Sequence, residues 1–159
     1  MTTANSIGKP TPLNAQSLEV LRDLAKTYGL ELFGRKREIY LKLEQEGYHN
    51  LVLERHEKHV FSLAHTFIKN GDLMSVPFVQ FIAINEKTVY PISIDDHSFI
   101  PYYYETAQLH PKRHTLATYN VERMREVVEY CDNWLENIKH QAWYLDGCEK
   151  NPDVKDNLG

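Results

Sequence analysis

A two-residue rhythm runs through the middle of this chain, and it leaves few folds open. From Glu38 to Tyr104 the apolar residues recur at alternate positions. Ile39, Leu41 and Leu43 alternate with Tyr40, Lys42 and Glu44, the pattern of a half-buried strand. Leu51 and Leu53 alternate in the same way in the next segment. His59 to Ile68 reads as a third strand. One of its faces carries His59, Phe61, Leu63, His65 and Phe67, and the other Val60, Ser62, Ala64, Thr66 and Ile68. Few of these positions suit water, so this strand belongs at the centre of a sheet. Asn70-Gly71-Asp72 is a turn signal, because Asn and Gly accept left-handed backbone. Phe78–Asn85 and Thr88–Ile94 read as a hairpin around Glu86-Lys87, and Phe99–Tyr104 closes the run beyond Asp95-Asp96-His97-Ser98. Pro91 and Pro101 cannot donate a ladder hydrogen bond, which places their segments at edges or kinks.

Short strands joined by tight turns predict an antiparallel meander of about six strands. The links are too short for crossover helices, which counts against a Rossmann-like plan. Before the sheet, Asn14 is placed to cap a helix through about Tyr28, with Leu18, Leu21, Leu24, Ala25 and Tyr28 as its apolar stripe and Gly29 as its stop. After a basic, irregular connector from Thr106 to Tyr119, Asn120 caps a longer helix reaching Ala142 or Tyr144. Its buried stripe is Val121, Met124, Val127, Val128, Cys131, Trp134, Leu135 and Ile138. Each helix has a single apolar face, so both are expected to cover one face of the sheet. The fold class is therefore α+β. Residues 1–13 are expected to form a flexible lead-in, 14–145 one domain, and 146–159 a polar, frayed tail.

Composition narrows the functional classes. Lys and Arg total 18 against 22 Asp and Glu, a net charge of −4, which disfavours bulk nucleic-acid binding. The longest charge-free stretch, Leu73–Asn85, spans 13 residues, short of the roughly 20 a membrane helix needs. The amino terminus has no apolar core of signal-peptide type, and Cys131 and Cys148 make no disulfide framework. A cytoplasmic location follows as an expectation.

The stretch Ser62-Leu63-Ala64-His65-Thr66, followed by Lys69-Asn70-Gly71-Asp72-Leu73-Met74 and then Val76-Pro77, resembles the signature of an uncharacterised domain family of bacteria and their mobile elements. That family typically reads Ser-Leu-Ala-His-Tyr, then Gln-Asn-Gly-Asp-Leu-Met, then Asp-Pro. The similarity extends to Tyr40–Leu43, Pro91–Ser93, Tyr103–Glu105 and Trp134–Lys139, so it covers roughly Leu18 to Tyr144. Thr66, Lys69 and Val76 replace the family's Tyr, Gln and Asp, the last removing a carboxylate beside the turn. The resemblance implies this order of elements and a phage or mobile-element context. It implies no activity.

Several residues could carry chemistry, each with a plainer explanation beside it. His65 with Asn70 and Asp72 would form an imidazole–carboxylate pair for a hydrolase, or else a core histidine beside an ordinary turn. Asp95, Asp96 and His97 offer metal-ligating atoms, although adjacent turn residues seldom converge on one ion. His56 and His59 would face each other across a two-residue Glu57-Lys58 loop, and Pro111 keeps His110 and His114 from aligning on a helix. Ser62 and His65 lie on opposite faces, which disfavours a nucleophile pair there. Arg35-Lys36-Arg37, Lys112-Arg113 and Tyr102-Tyr103-Tyr104 give a minimal single-stranded nucleic-acid pattern, or a rim where alternate tyrosines face the core.

The long helix also carries an acidic stripe of Glu122, Glu126, Glu129 and Glu136 in one angular sector. No cofactor motif occurs, and no cofactor is expected. The leading expectation is a non-enzymatic phage or mobile-element protein, a monomer or homodimer, that binds a host or defence protein, with inhibition as one form that binding could take. Glu122, Glu126, Glu129, Tyr102 and Tyr104 are its expected contact residues.

Overall fold

The computed structural model describes residues 2–3, 8–27, 40–96, 102–112, 115–141, 143 and 149–150. Along them run β1 (Thr2–Thr3), α1 (Ala15–Thr27), β2 (Tyr40–Glu44), β3 (Asn50–Glu57), β4 (Val60–Lys69), β5 (Asp72–Asn85) and β6 (Thr88–Asp95). These are followed by β7 (Tyr103–Glu105), β8 (Ala107–Leu109), β9 (Leu116–Tyr119), α2 (Val121–His140) and β10 (Glu149–Lys150). The fold is α+β: β2 to β7 form an antiparallel meander of six strands between an N-terminal and a C-terminal helix. β10 adds to the outer edge of β2, and β4 is the middle strand of the resulting order β10-β2-β3-β4-β5-β6-β7.

Register explains why the alternation in sequence becomes two different faces. Leu41, Leu53, Leu63, Val79, Ile94 and Tyr104 stand opposite one another in successive strands, and all are buried. One residue along, Tyr40, Glu54, Ser62, Gln80, Ser93 and Glu105 make an equally continuous row, and every member is polar or amphipathic. Burying each large apolar side chain of the first row stabilises the fold by about 1.5–3 kcal/mol. A slip of one residue would exchange the rows, so the register is strongly specified. Helix α2 lies over the apolar face with Met124, Val127, Val128, Cys131, Trp134, Leu135 and Ile138 inward. Helix α1 packs alongside α2, where Ser17 Oγ donates to Asp132 Oδ1 at 2.6 Å.

Local chemistry sets the ends. Asn14 Oδ1 accepts from the Ser17 N–H, and Asn120 Oδ1 from the Arg123 N–H, so both expected caps are in place. The β4–β5 turn has Asn70 at φ 53° and Gly71 at φ 82°, the double left-handed pattern that suits a two-residue hairpin loop. In the β5–β6 turn, Asn85 Oδ1 accepts from the Lys87 N–H.

Three features differ from the sequence expectation. The β3–β4 loop sits one residue later, at Lys58-His59, because Glu57 pairs with Val60 and His59 takes φ 69°. His59 is thus in the loop and does not face His56. The stretch from Thr106 to Tyr119 is not irregular throughout: it contains the β8–β9 hairpin, and β1 pairs with β9. The lead-in is attached at several points. Tyr119 Oη donates to the Gly8 carbonyl at 2.7 Å, the Leu13 N–H donates to the Val89 carbonyl, and Leu13 is buried. The expected Arg35–Arg37 run, Tyr28, Gly29, His97, Pro101, His114 and Cys148 lie outside the described residues.

Candidate functional site

Helix α2 meets the sheet at two places that carry unusual polar chemistry. The first surrounds His65. Its side chain continues the apolar row of Leu43 and Leu51, on the face that α2 covers. Opposite it the ladder shifts: Ala64 pairs with Phe78 and Thr66 with Ser75, leaving Val76 and Pro77 against His65 alone. A bulge tolerates Pro77, which has no N–H to give. The imidazole packs at 5.6 Å from the Trp134 ring and 6.4 Å from the Trp143 ring. Burial pushes its pKa below the usual histidine value; backbone groups of His49 and Asn50 pull the other way, and the nearby His49 ring adds to the lowering. Two buried polar atoms here, His65 Nδ1 and Trp134 Nε1, lack a well-formed hydrogen bond, although the His65 ring still feels the backbone groups of His49 and Asn50. Thr66 Oγ1, on the opposite face of β4, is a third such atom. A pocket of about 490 Å³ opens at this end, lined by Gly47, Tyr48, His49, His65 and Gln141.

His65 does not meet the carboxylate expected beside it. Asp72 is exposed at the hairpin tip opposite Lys69, next to exposed Asn70, and it does not line the His65 pocket. Ser62 pairs instead with His56, whose Nε2 lies 2.7 Å from Ser62 Oγ. The serine is only 1% exposed, so its hydroxyl is closed to an incoming substrate. Asp95 and Asp96 diverge. Asp95 sits in the ladder between Phe78 and Tyr103, whereas Asp96 is buried and accepts from Tyr130. Among the described residues, no three His, Cys, Asp or Glu side chains form a group that could hold a metal ion. Cys131 is fully buried, and burial pushes its thiol pKa well up, so it behaves as a core residue.

The second place is the junction of β7 with the first half of α2. Tyr130 Oη donates to Asp96 Oδ2 at 2.6 Å, and the Asp96 N–H donates to the Tyr102 carbonyl at 2.8 Å. These bonds tie the strand end to the helix. Burial, then the bond to Asp96, raises the Tyr130 pKa. The Arg123 guanidinium lies over the Tyr104 ring, 4.7 Å from its centroid. The Tyr104 pKa is pushed up to about 12, first by burial and then by the Glu126 charge, against the pull of Arg123.

Tyr104 is 6% exposed and completes the apolar row, so it is not the contact residue the sequence suggested. Tyr102 and Tyr103 are the rings offered to solvent, at 58% and 51% exposure. Glu122, Glu126 and Glu129 are all exposed, with Arg123 and Arg125 exposed between them. Strand alternation predicts that Tyr103 and Tyr104 point oppositely, which is the signal that identifies Tyr103.

No helix among the described residues is long and apolar enough to cross a membrane. Residues 21–144 match a family described as Domain of unknown function (DUF6908), close to the span of the resemblance read from sequence. No curated protein and no solved structure matches the chain.

Proposed function

The chain belongs to the DUF6908 family, and from that premise we propose that it is a protein-binding module whose contact surface is the β7–α2 junction. The observation that carries this reading is the Tyr130–Asp96–Tyr102 linkage. It fixes two exposed tyrosines beside a helix that displays Glu122, Glu126 and Glu129. Exposed aromatics supply contact area at low entropy cost, and a mostly acidic border favours a basic partner surface. The partner would be a host or defence protein that the chain binds and inhibits, with the chain itself of phage or mobile-element origin.

The test compares tagged wild type with a variant carrying Tyr102→Ala, Tyr103→Ala and all three glutamates reversed to lysine, in pull-downs from the natural host. The variant should lose a protein that the wild type retains, while its far-UV spectrum and melting transition stay the same. An unchanged set of captured proteins would show that the surface has been misassigned.

A further inference from the structure

We propose that the pocket at the C-terminal end of α2 binds an uncharged, planar heteroaromatic molecule of nucleobase or nucleoside size. Its volume is about 490 Å³, and it is an open depression that would cover one face of a ring system and leave the other to solvent. The walls are aromatic and held from behind. The Tyr48 ring is 45% exposed and leans on fully buried Trp143 at 6.0 Å. His49 is exposed and stacked on Phe67 with ring centroids 4.5 Å apart. His65 lies deeper, against both tryptophans. Flat, supported rings of this kind stack on other flat rings, as they do on unpaired bases.

The polar groups add direction. Trp143 Nε1 donates to Gln141 Oε1 at 3.0 Å, which fixes the orientation of that amide. The carboxamide nitrogen has no partner among the described residues, so its two N–H donors are available to a ligand in the pocket that Gln141 lines. The Gln141 carbonyl accepts from Gln45 Nε2 at 2.7 Å, and this bond holds the β2–β3 turn against the helix end. Gly47, at φ 87°, has no described atom within 4 Å of where a Cβ would stand. The site therefore pairs ring faces with donors for a ring nitrogen or carbonyl.

Charge favours neither ion over a neutral ring. Exposed Glu46 adjoins the pocket residues on one side, and exposed Lys139 and His140 adjoin Gln141 on the other, so the opposite charges offset. The shared chemistry is a heteroaromatic ring, and its sources are separated by measuring adenine, adenosine, AMP and tetramethylammonium side by side.

The experiment is a titration of the full chain followed by two-dimensional NMR of its histidine, tyrosine and glutamine side chains. Adenine and adenosine should produce saturable shifts at Tyr48, His49, His65 and the Gln141 amide, with affinity in roughly the millimolar range expected of small fragments. AMP should bind no more tightly than adenosine, and tetramethylammonium, which has no ring, should leave these signals in place. Tyr48→Ala removes an exposed ring, so its remaining spectrum should match wild type while adenine affinity falls at least several-fold. Absence of saturable shifts with adenine would overturn the proposal. So would equal affinity in Tyr48→Ala, or tighter binding of AMP or tetramethylammonium than of adenine.

Discussion

The two places where α2 meets the sheet are built on opposite terms. At the β6–β7 end, a tyrosine hydroxyl meets a buried carboxyl at 2.6 Å and a guanidinium covers an aromatic face. At the β3–β4 end, a half-buried imidazole and a buried indole each keep one buried nitrogen without a well-formed hydrogen bond, beside an open pocket. Paired polar groups fix geometry, whereas unpaired ones cost stability and persist where something else uses them. The contrast separates a clamp, which positions a surface, from a hollow, which can take a ligand.

The sharpest change should come from the core row that both ends share. Leu63→Ala removes a fully buried side chain from the central strand and should cost about 2–5 kcal/mol in urea unfolding. It should weaken both ends alike, so a loss confined to one end would break the idea of a common core. Tyr130→Phe tests the clamp alone. It removes the donor to Asp96 and should cost about 1.5–3 kcal/mol, the range for hydrogen bonds to charged groups. A cost near zero would mean that this bond contributes nothing to holding β7 on the helix.

Acid should act on the hollow. The folded chain holds the His65 pKa below 6.5. As pH falls through 6.5 the unfolded chain takes up this proton first, so stability drops until the folded form also protonates. Above 6.5 the ring is neutral in both states and adds no slope. The measurement is the difference in urea midpoint between about pH 7.5 and about pH 5.5, compared between wild type and His65→Phe. The variant should show the shallower fall. The smallest effect should come from Thr66→Val. It exchanges an unpartnered buried hydroxyl for a methyl group of similar shape and should stabilise by up to about 1 kcal/mol. Tyr130→Phe and Thr66→Val should thus have opposite signs. Thr66 lies on the other face of β4 from His65, so the same sign would contradict the cost assigned to an unpaired buried hydroxyl.

Much of the scaffold is legible in the sequence because it rests on local rules. Period-two burial sets the order of β2 to β6 and the central place of β4. Two asparagine caps and the Asn70-Gly71 turn are readable because their chemistry lies within three residues. The β8–β9 hairpin is not, since its strands have three and four residues and His110-Pro111-Lys112 reads as a break. The β3–β4 loop falls one residue from its expected place because His59 takes a left-handed conformation more usual for Asn or Gly.

The sites depend on longer range. The pocket draws on residues from a turn, a strand and a helix end, separated by up to about a hundred positions, and no local spacing encodes that meeting. The surface residues are half legible: the glutamate stripe follows from helical geometry, but strand alternation favours Tyr103 over the expected Tyr104.

Hydrogen–deuterium exchange on the chain, alone and with the protein it captures, tests the proposed surface most directly. Slowed exchange should centre on Tyr103–Glu105 and the first turns of α2, with the rest of the sheet unaffected. Protection confined to the hairpin tip, where Ile68 and Leu73 stand exposed, would contradict it.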